Sequence, residues 1–363
     1  MVVSVAHYTP AIGVDEQGQP PLPWQADVLQ RARALDKAHA LLVHGPAGAG
    51  HLELSLVLAQ RWLCEATAAA PCGRCGSCHL VRTRVHPDLL IVVPDAQRSQ
   101  YNWQSEEDVG ATKSEAKPSR DIRVQQVRQA IAWSRNSSGR GRGKVMVLHS
   151  ADALNLTAAN ALLKTLEEPP GQLRLLLTST DPERLLPTVR SRCQRLPIDL
   201  PTPIVALAWL AQRGTPDAPA VLALASGSPL EALALAEEGI DAQWRLQLPK
   251  RVAAGDASPL LGRPLPRVIE LLGKLAHDLL AAGQGAAPRY FEPGSLPGAP
   301  DQVAWLAWHS ALLQAARHDE HPWQAPLLIE SLVTQAAALW PGKNGGPPST
   351  RAVRRPPSLH SAP

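Results

Sequence analysis

Aromatic side chains are scarce in this chain. One phenylalanine (Phe291), three tyrosines and ten tryptophans make up 4% of 363 residues, and there are only two methionines. The cores must therefore rest on Leu, Ala and Val, which favours helices. No run of 18 apolar residues occurs, so no transmembrane helix is expected. The opening stretch, residues 1–20, lacks a basic segment followed by an apolar one. No secretory signal is expected, and the chain is placed in the cytoplasm. The five cysteines then read as thiols or metal ligands and not as disulfides.

Charge of one sign is not in large excess either. The formal net charge is +4, and arginine outnumbers lysine 28 to 8. A nucleic-acid binder usually clusters its basic residues on one face. Here they are dispersed, apart from Arg140, Arg142 and Lys144, and Arg351, Arg354 and Arg355. Charge alone leaves nucleic acid open.

Proline is plentiful, 35 residues against a usual share of about 5%. That argues for short helices and frequent breaks and against one long coiled coil. At roughly 100–200 residues per domain the length suggests two or three domains. Short apolar runs, 40–44, 89–93, 145–148, 173–177 and 194–198, alternate with helical patterns over the first 200 residues. Continuous apolar runs separated by helices signal a parallel sheet covered on both faces, an α/β fold. Residues 94–120 are polar and without period, and read as a mobile surface insertion. From 201 the pattern is helical. A small helical unit spans 201–241, and a second helical block covers 242–340, interrupted by the Pro/Gly-rich segment 283–300. Residues 341–363 have the composition of a disordered tail.

The first strand runs into Gly45-Pro46-Ala47-Gly48-Ala49-Gly50 and then a helix, the context of a phosphate-binding loop. The working pattern continues with Lys and Ser/Thr, which meet the phosphates and Mg²⁺. Here His51 and Leu52 stand in those places. After the third strand, where active ATPases of this type carry Asp-Glu, the chain has His149-Ser150, and Asp152 comes too late to stand in. Backbone N–H groups could still hold a nucleotide weakly. On another reading this is an ordinary tight loop. Neither gives the chain an ATPase of its own, and no nucleotide cofactor is expected.

Cys64, Cys72, Cys75 and Cys78 form C-x7-C-x2-C-x2-C. Four thiolates at this spacing suit one tetrahedral, structural Zn²⁺. A redox pair or an iron–sulfur cluster is the competing reading. His79 and His86 are expected to face solvent, and Cys193 to be a small buried residue. The run Asn160–Pro170 reads as an amphipathic helix with Ala159, Leu162, Leu163 and Leu166 inward and an abrupt stop at the prolines.

The run NALLKTLEEPP, then LLLTSTDPERLLPTVRSRCQ, with the cysteine knuckle upstream, closely resembles the bacterial DNA polymerase III clamp loader. The resemblance is strong over about 23–233 and weak beyond. That family has a motor subunit, gamma or tau, and a related branch without ATPase, delta-prime. The altered loop, His149-Ser150, and Leu230 where the motor has a basic nucleotide sensor all place this chain with that branch. The resemblance implies an AAA+ domain over 1–200, a helical lid over 201–241 and a helical collar over 242–340. It also implies partners: gamma/tau and delta subunits in a heteropentamer, and through them the sliding clamp and primed DNA. Finally it implies that Arg192, in Ser191-Arg192-Cys193 after a short helix spanning 183–190, acts in trans on a neighbouring motor subunit's ATP site. Arg190 is the runner-up, and a plain surface ion pair is the bland alternative. A divergent motor ATPase, with His51 replacing Lys, is the competing function. A DNA-recognition role for the knuckle is a third reading, weakened because it holds one arginine, Arg74.

Overall fold

The computed structural model describes residues 12–98, 118–317 and 324–340. A 3-10 turn, Pro23–Gln25, leads into α1 (Ala26–Arg33), then β1 (Ala40–His44) and α2 (His51–Leu63). There follow α3 (Gly76–Arg82), β2 (Leu89–Val92), α4 (Asp95–Arg98), α5 (Val124–Ser134), β3 (Lys144–Leu148) and α6 (Leu156–Glu167). β4 (Leu173–Ser179), α7 (Pro187–Arg190) and β5 (Gln194–Pro197) complete the sheet region.

The strands form one parallel sheet in the order β2-β3-β4-β1-β5, with Leu42 opposite Leu177 on one side and Arg195 on the other. Because successive side chains point to opposite faces, β1 feeds two cores. Leu41 and Val43 pack with Leu54, Leu58 and Trp62 of α2. Ala40 and Leu42 pack with Val127 and Ala130 of α5 and Leu162 and Leu166 of α6. Both faces are covered, as continuous apolar strands require. All five strand expectations hold to within about one or two residues.

α6 begins where the Asn155 side chain accepts the Ala158 N–H at 2.9 Å, a standard N-cap. It stops before Pro169-Pro170, with Ala159, Leu162 and Leu166 buried and Leu163 half-buried. Two expectations need correction. Residues 183–190 are not one helix: a 3-10 turn, Pro182–Arg184, and α7 are separated by extended Leu185 and Leu186. Leu186 precedes Pro187, and the proline ring disfavours helical backbone there. The stretch 94–120 also does not begin as a structureless loop. It opens with α4, whose Asp95 pairs with Arg123 and whose Gln97 reaches Ser150 Oγ at 3.1 Å. Residues 99–117 and 341–363 lie outside the described residues.

After the sheet come α8 (Pro203–Gln212), α9 (Ala218–Leu224) and α10 (Pro229–Glu237), three short helices packed on one another. A compact unit closes at Ala242, and a second begins at Gln243. The second unit is helical: α11 (Ala242–Ala253), α12 (Leu265–Gly283), α13 (Gln302–Arg317) and α14 (Ala325–Ala337). Its 283–300 segment is held by fully buried Asp278, which accepts the N–H groups of Arg289, Tyr290 and Phe291 at 2.9, 2.7 and 2.7 Å. Among the described residues no single helix is long and apolar enough to cross a membrane.

Candidate functional site

The parallel sheet delivers the ends of β1, β3 and β4 to one edge. There the Gly45–Gly50 loop joins β1 to α2, with Gly48 at φ 76° and Gly50 at φ 92°. A Cβ on Gly48 would fall 1.9 Å from Ser228 Oγ, and one on Gly50 2.2 Å from a Leu22 methyl. The glycines are thus required by close approach as well as by backbone angle. Three of the loop's carbonyls accept from side chains elsewhere in the chain. Trp24 Nε1 donates to Ala49 O at 3.0 Å, Gln25 Nε2 to Gly50 O at 2.7 Å, and Ser228 Oγ to Gly48 O at 3.3 Å. Sequence reasoning missed these partners, since they lie 20 or more residues away on either side.

His51 occupies the lysine position of the working pattern. It is 5% exposed, and its Nε2 meets Gly45 O at 3.1 Å. Burial pushes its pKa down to about 4, against an opposing pull from the Gly45 carbonyl. Leu52 belongs to the apolar core. At the end of β3, His149 is buried and its Nδ1 meets Thr178 Oγ1 at 2.8 Å, while Thr178 Oγ1 also accepts the Ser150 N–H at 3.0 Å. Burial, with His51 nearby, takes His149 down to about 3. Two neutral imidazoles and a leucine therefore stand where phosphate and Mg²⁺ chemistry needs a cation, a hydroxyl and carboxylates. Neither His51 nor His149 offers a phosphate a full positive charge.

The C-terminal end of α2 carries the second site. Cys64 is the C-cap of α2, and Cys75 is the N-cap of α3, its sulfur accepting the Cys78 N–H at 3.4 Å. The four sulfurs lie within 4.8 Å of one another, with Cys64–Cys75 and Cys72–Cys78 both at 3.9 Å. Four ligands at a Zn–S distance of ~2.3 Å stand about 3.8 Å apart, so this cluster fits a tetrahedral ion. N–H groups of Arg74 and Cys75 help bring Cys72 down to about 6, whereas burial raises Cys64 and Cys78. The set is closed, with no open position for catalysis, and could hold a structural metal.

His79 is exposed, as expected, but His86 is not. At 4% exposure it accepts the Asp88 N–H on Nδ1 at 3.0 Å, so Nε2–H faces Ser77 Oγ at 2.6 Å. Ser77 sits inside the knuckle, nine residues back, and gives this buried imidazole the partner a solvent-facing reading did not foresee. Asp88 in turn accepts the N–H groups of Gly139 and Arg140 and the Ser138 hydroxyl at 2.8, 2.9 and 3.0 Å. Burial alone would raise its pKa, but these donors hold it below the usual range.

Exposed Ser191 and half-buried Arg192 follow α7. Arg192 Nε donates to Glu167 at 2.8 Å, its Nη2 contacts the same carboxylate, and Nη1 reaches Thr188 O at 2.8 Å. Ser191 Oγ donates to Thr188 O at 3.2 Å. Arg190 pairs with Glu183. Cys193 is buried, and burial pushes its thiol up to about 12.

Residues 24–202 match the family model described as DNA polymerase III, delta subunit. The chain is 35% identical over 347 residues to the Pseudomonas aeruginosa DNA polymerase III subunit delta', covering 87% of this chain and 97% of that one. The Escherichia coli delta' subunit is 33% identical over 261 residues, 69% of this chain and 72% of that one. The Escherichia coli tau subunit is 34% identical over 156 residues, 43% of this chain and 20% of its own length. A solved DNA polymerase III gamma subunit-related protein from Thermotoga maritima aligns over 86% of this chain and 99% of its own, with a TM-score of 0.42 and 15% identity. Near-full-length identity of this order settles the family: this chain belongs to the DNA polymerase III subunit delta' family.

Proposed function

We propose that this chain is the non-hydrolysing stator of the DNA polymerase III clamp loader. In this reading it joins gamma/tau and delta subunits in a heteropentamer that places the sliding clamp on primed DNA in the cytoplasm. Residues 201–241 act as the lid, 242–340 as the ring-closing collar, and the cysteines hold one Zn²⁺. The observation that carries it is the edge at the ends of β1 and β3, where buried His51, Leu52 and His149 stand in the places a motor gives to a cation, a hydroxyl and a carboxylate. A divergent motor would need a cation at His51, and burial holds that imidazole neutral at physiological pH.

Arg192 is the group this chain lends to a neighbouring ATP site. Its exposed pair with Glu167 is of the kind worth 0.2–1 kcal/mol, so exchanging that carboxylate for a phosphate is easy. An arginine supplied in trans can be worth 10³–10⁵ in rate at one site. Its planar fork of donors is not reproduced by lysine. The test is Arg192→Ala in the reconstituted complex, followed by gel filtration and DNA-stimulated ATPase. The complex should assemble and hydrolyse ATP more slowly, with partial loss because other sites keep their own arginines. Full ATPase in an assembled ring would reject the trans role, and failed assembly would make Arg192 structural.

A further inference from the structure

The opposite edge of the sheet, where the strands begin, gathers basic groups from three distant segments. Lys37 and His39 precede β1, Arg142 precedes β3, and Arg174 is the second residue of β4. Two depressions meet here over a shared ridge of Gly141, Gly171 and Gln172. The larger, about 470 Å³, is bordered by Lys37, His39, Arg142 and Arg174. The smaller, about 310 Å³, is bordered by Arg135 and Lys144. No carboxylate lines either one.

The run of arginines seen in the sequence is divided by the fold. Arg140 pairs with Glu65, and Lys144 is buried with its Nζ on Trp133 O at 2.8 Å. Arg142 is left exposed beside Lys37 and Arg174. Among the described residues Lys37, Arg135 and Arg142 have no ion pair. Arg174 rests its guanidinium 4.8 Å from the Trp62 ring centre. The neighbouring Asp36 is committed to Arg61 at 2.6 Å. The Arg142 loop is braced at its base by Asp88, through Ser138, Gly139 and Arg140. Little ordering is therefore needed when this loop meets an anion.

We propose that this edge binds the phosphodiester backbone of a single nucleic-acid strand, with Lys37, Arg142 and Arg174 as its principal contacts on one side of the ridge and Arg135 on the other. Cations on both sides of one ridge call for anions repeated along a chain, which one free phosphate does not supply. Guanidinium forks match phosphate oxygens. Depressions of this size are those of small molecules, large enough for one backbone and too small to seat a duplex. Trp62 is 8% exposed beneath Arg174, so its indole is not presented for base stacking. Recognition is then of the backbone and independent of sequence. The proposal stands apart from the arginine reading above and is tested on this chain alone.

Binding of a labelled oligothymidylate to the full chain is followed by fluorescence anisotropy across a salt series. Lys37→Gln with Arg142→Gln removes two exposed side chains and leaves the core intact. The expected result is about a tenfold or greater loss of affinity at low salt. The slope of log affinity against log salt should also fall by about 1.4, from ~0.7 per lost single-strand phosphate contact. A charge-matched comparison, Arg289→Gln with Arg317→Gln, should leave binding unchanged. Absence of binding by the unaltered chain, or equal weakening by both double variants, would overturn the proposal. So would equal displacement by polyglutamate, which would favour an acidic peptide, or by inorganic phosphate at matched ionic strength, which would indicate a single-anion site.

Discussion

Helix α2 joins two sites of opposite character. At its first turn the glycine loop keeps its backbone shape while the side chains that would work on a nucleotide are absent. At its last turn the cysteine cluster has all four sulfurs converging. The difference follows from what each group contributes to the fold. A catalytic lysine or a magnesium-binding hydroxyl adds little to stability, and Leu52 packs better in its place. A closed thiolate set contributes to folding through its metal, so losing one sulfur damages the whole. Side chains of Trp24, Gln25 and Ser228 hold three carbonyls of the loop, while the knuckle brings four sulfurs within reach of a single ion.

The largest effect should come from the knuckle. Cys72→Ser with Cys78→Ser should abolish binding of about one zinc per chain and lower stability by several kcal/mol, because binding energy at such sites is folding energy. Elemental analysis and melting with and without a chelator check this. Unchanged melting in the presence of chelator would remove the contrast between the two ends of α2.

The two buried histidines, His51 and His149, give the next effect, visible in pH. Their folded pKa values, about 4 and about 3, lie below the ordinary 6.5. Between these limits the unfolded chain binds more protons than the folded one, so stability rises with pH. The contribution is full above about pH 6.5 and is lost progressively as pH falls toward the folded values. Between pH 7 and 5 the pair should cost a few kcal/mol. His51→Gln with His149→Gln should flatten that limb in urea titrations. Some slope should persist, since burial also lowers His86. An equally steep limb in the double variant would mean the imidazoles are not buried neutral.

Reinstating the missing groups sharpens the contrast further. Leu52→Thr places a hydroxyl in the apolar core and should cost about 1–3 kcal/mol. Combined with His51→Lys it should still give no ATP turnover, because His149 and Ser150 supply no acidic pair. Magnesium-dependent turnover by that variant would show that the edge needs only two residues to work.

The fold and the convergence of the four cysteines were legible because their signals are local. Five apolar runs, a glycine loop and the C-x7-C-x2-C-x2-C spacing each lie within a few adjacent residues. What was not legible depends on distant partners. His86 looked like a surface residue until Ser77 and the Asp88 N–H enclosed it. Asp88 gave no local sign of bracing a loop fifty residues on. The basic cluster 140–144 looked like one patch, yet Glu65 and Trp133 take two of its members, and the sheet gives the third to Lys37 and Arg174. The break at Leu185 and Leu186 did have a local sign, Pro187, which outweighs the helical pattern around it.

The smallest expected effect concerns the Arg192–Glu167 pair, and it bears on whether Arg192 is free to act elsewhere. Both side chains are part-exposed, 32% and 49%, so water and salt screen their attraction. A double-mutant cycle of Arg192→Ala and Glu167→Ala, read by urea unfolding, should give a coupling of about 0.2–1 kcal/mol that shrinks in high salt. Glu167→Gln should leave melting nearly unchanged while removing the anion that holds the guanidinium over α6. If Arg192 is lent to a neighbour, that variant should match or exceed the unaltered chain in DNA-stimulated ATPase of the complex. Loss of ATPase with assembly intact would show that Glu167 orients the arginine. A coupling of about 3 kcal/mol or more, insensitive to salt, would mark the pair as a structural clamp and Arg192 as part of the fold.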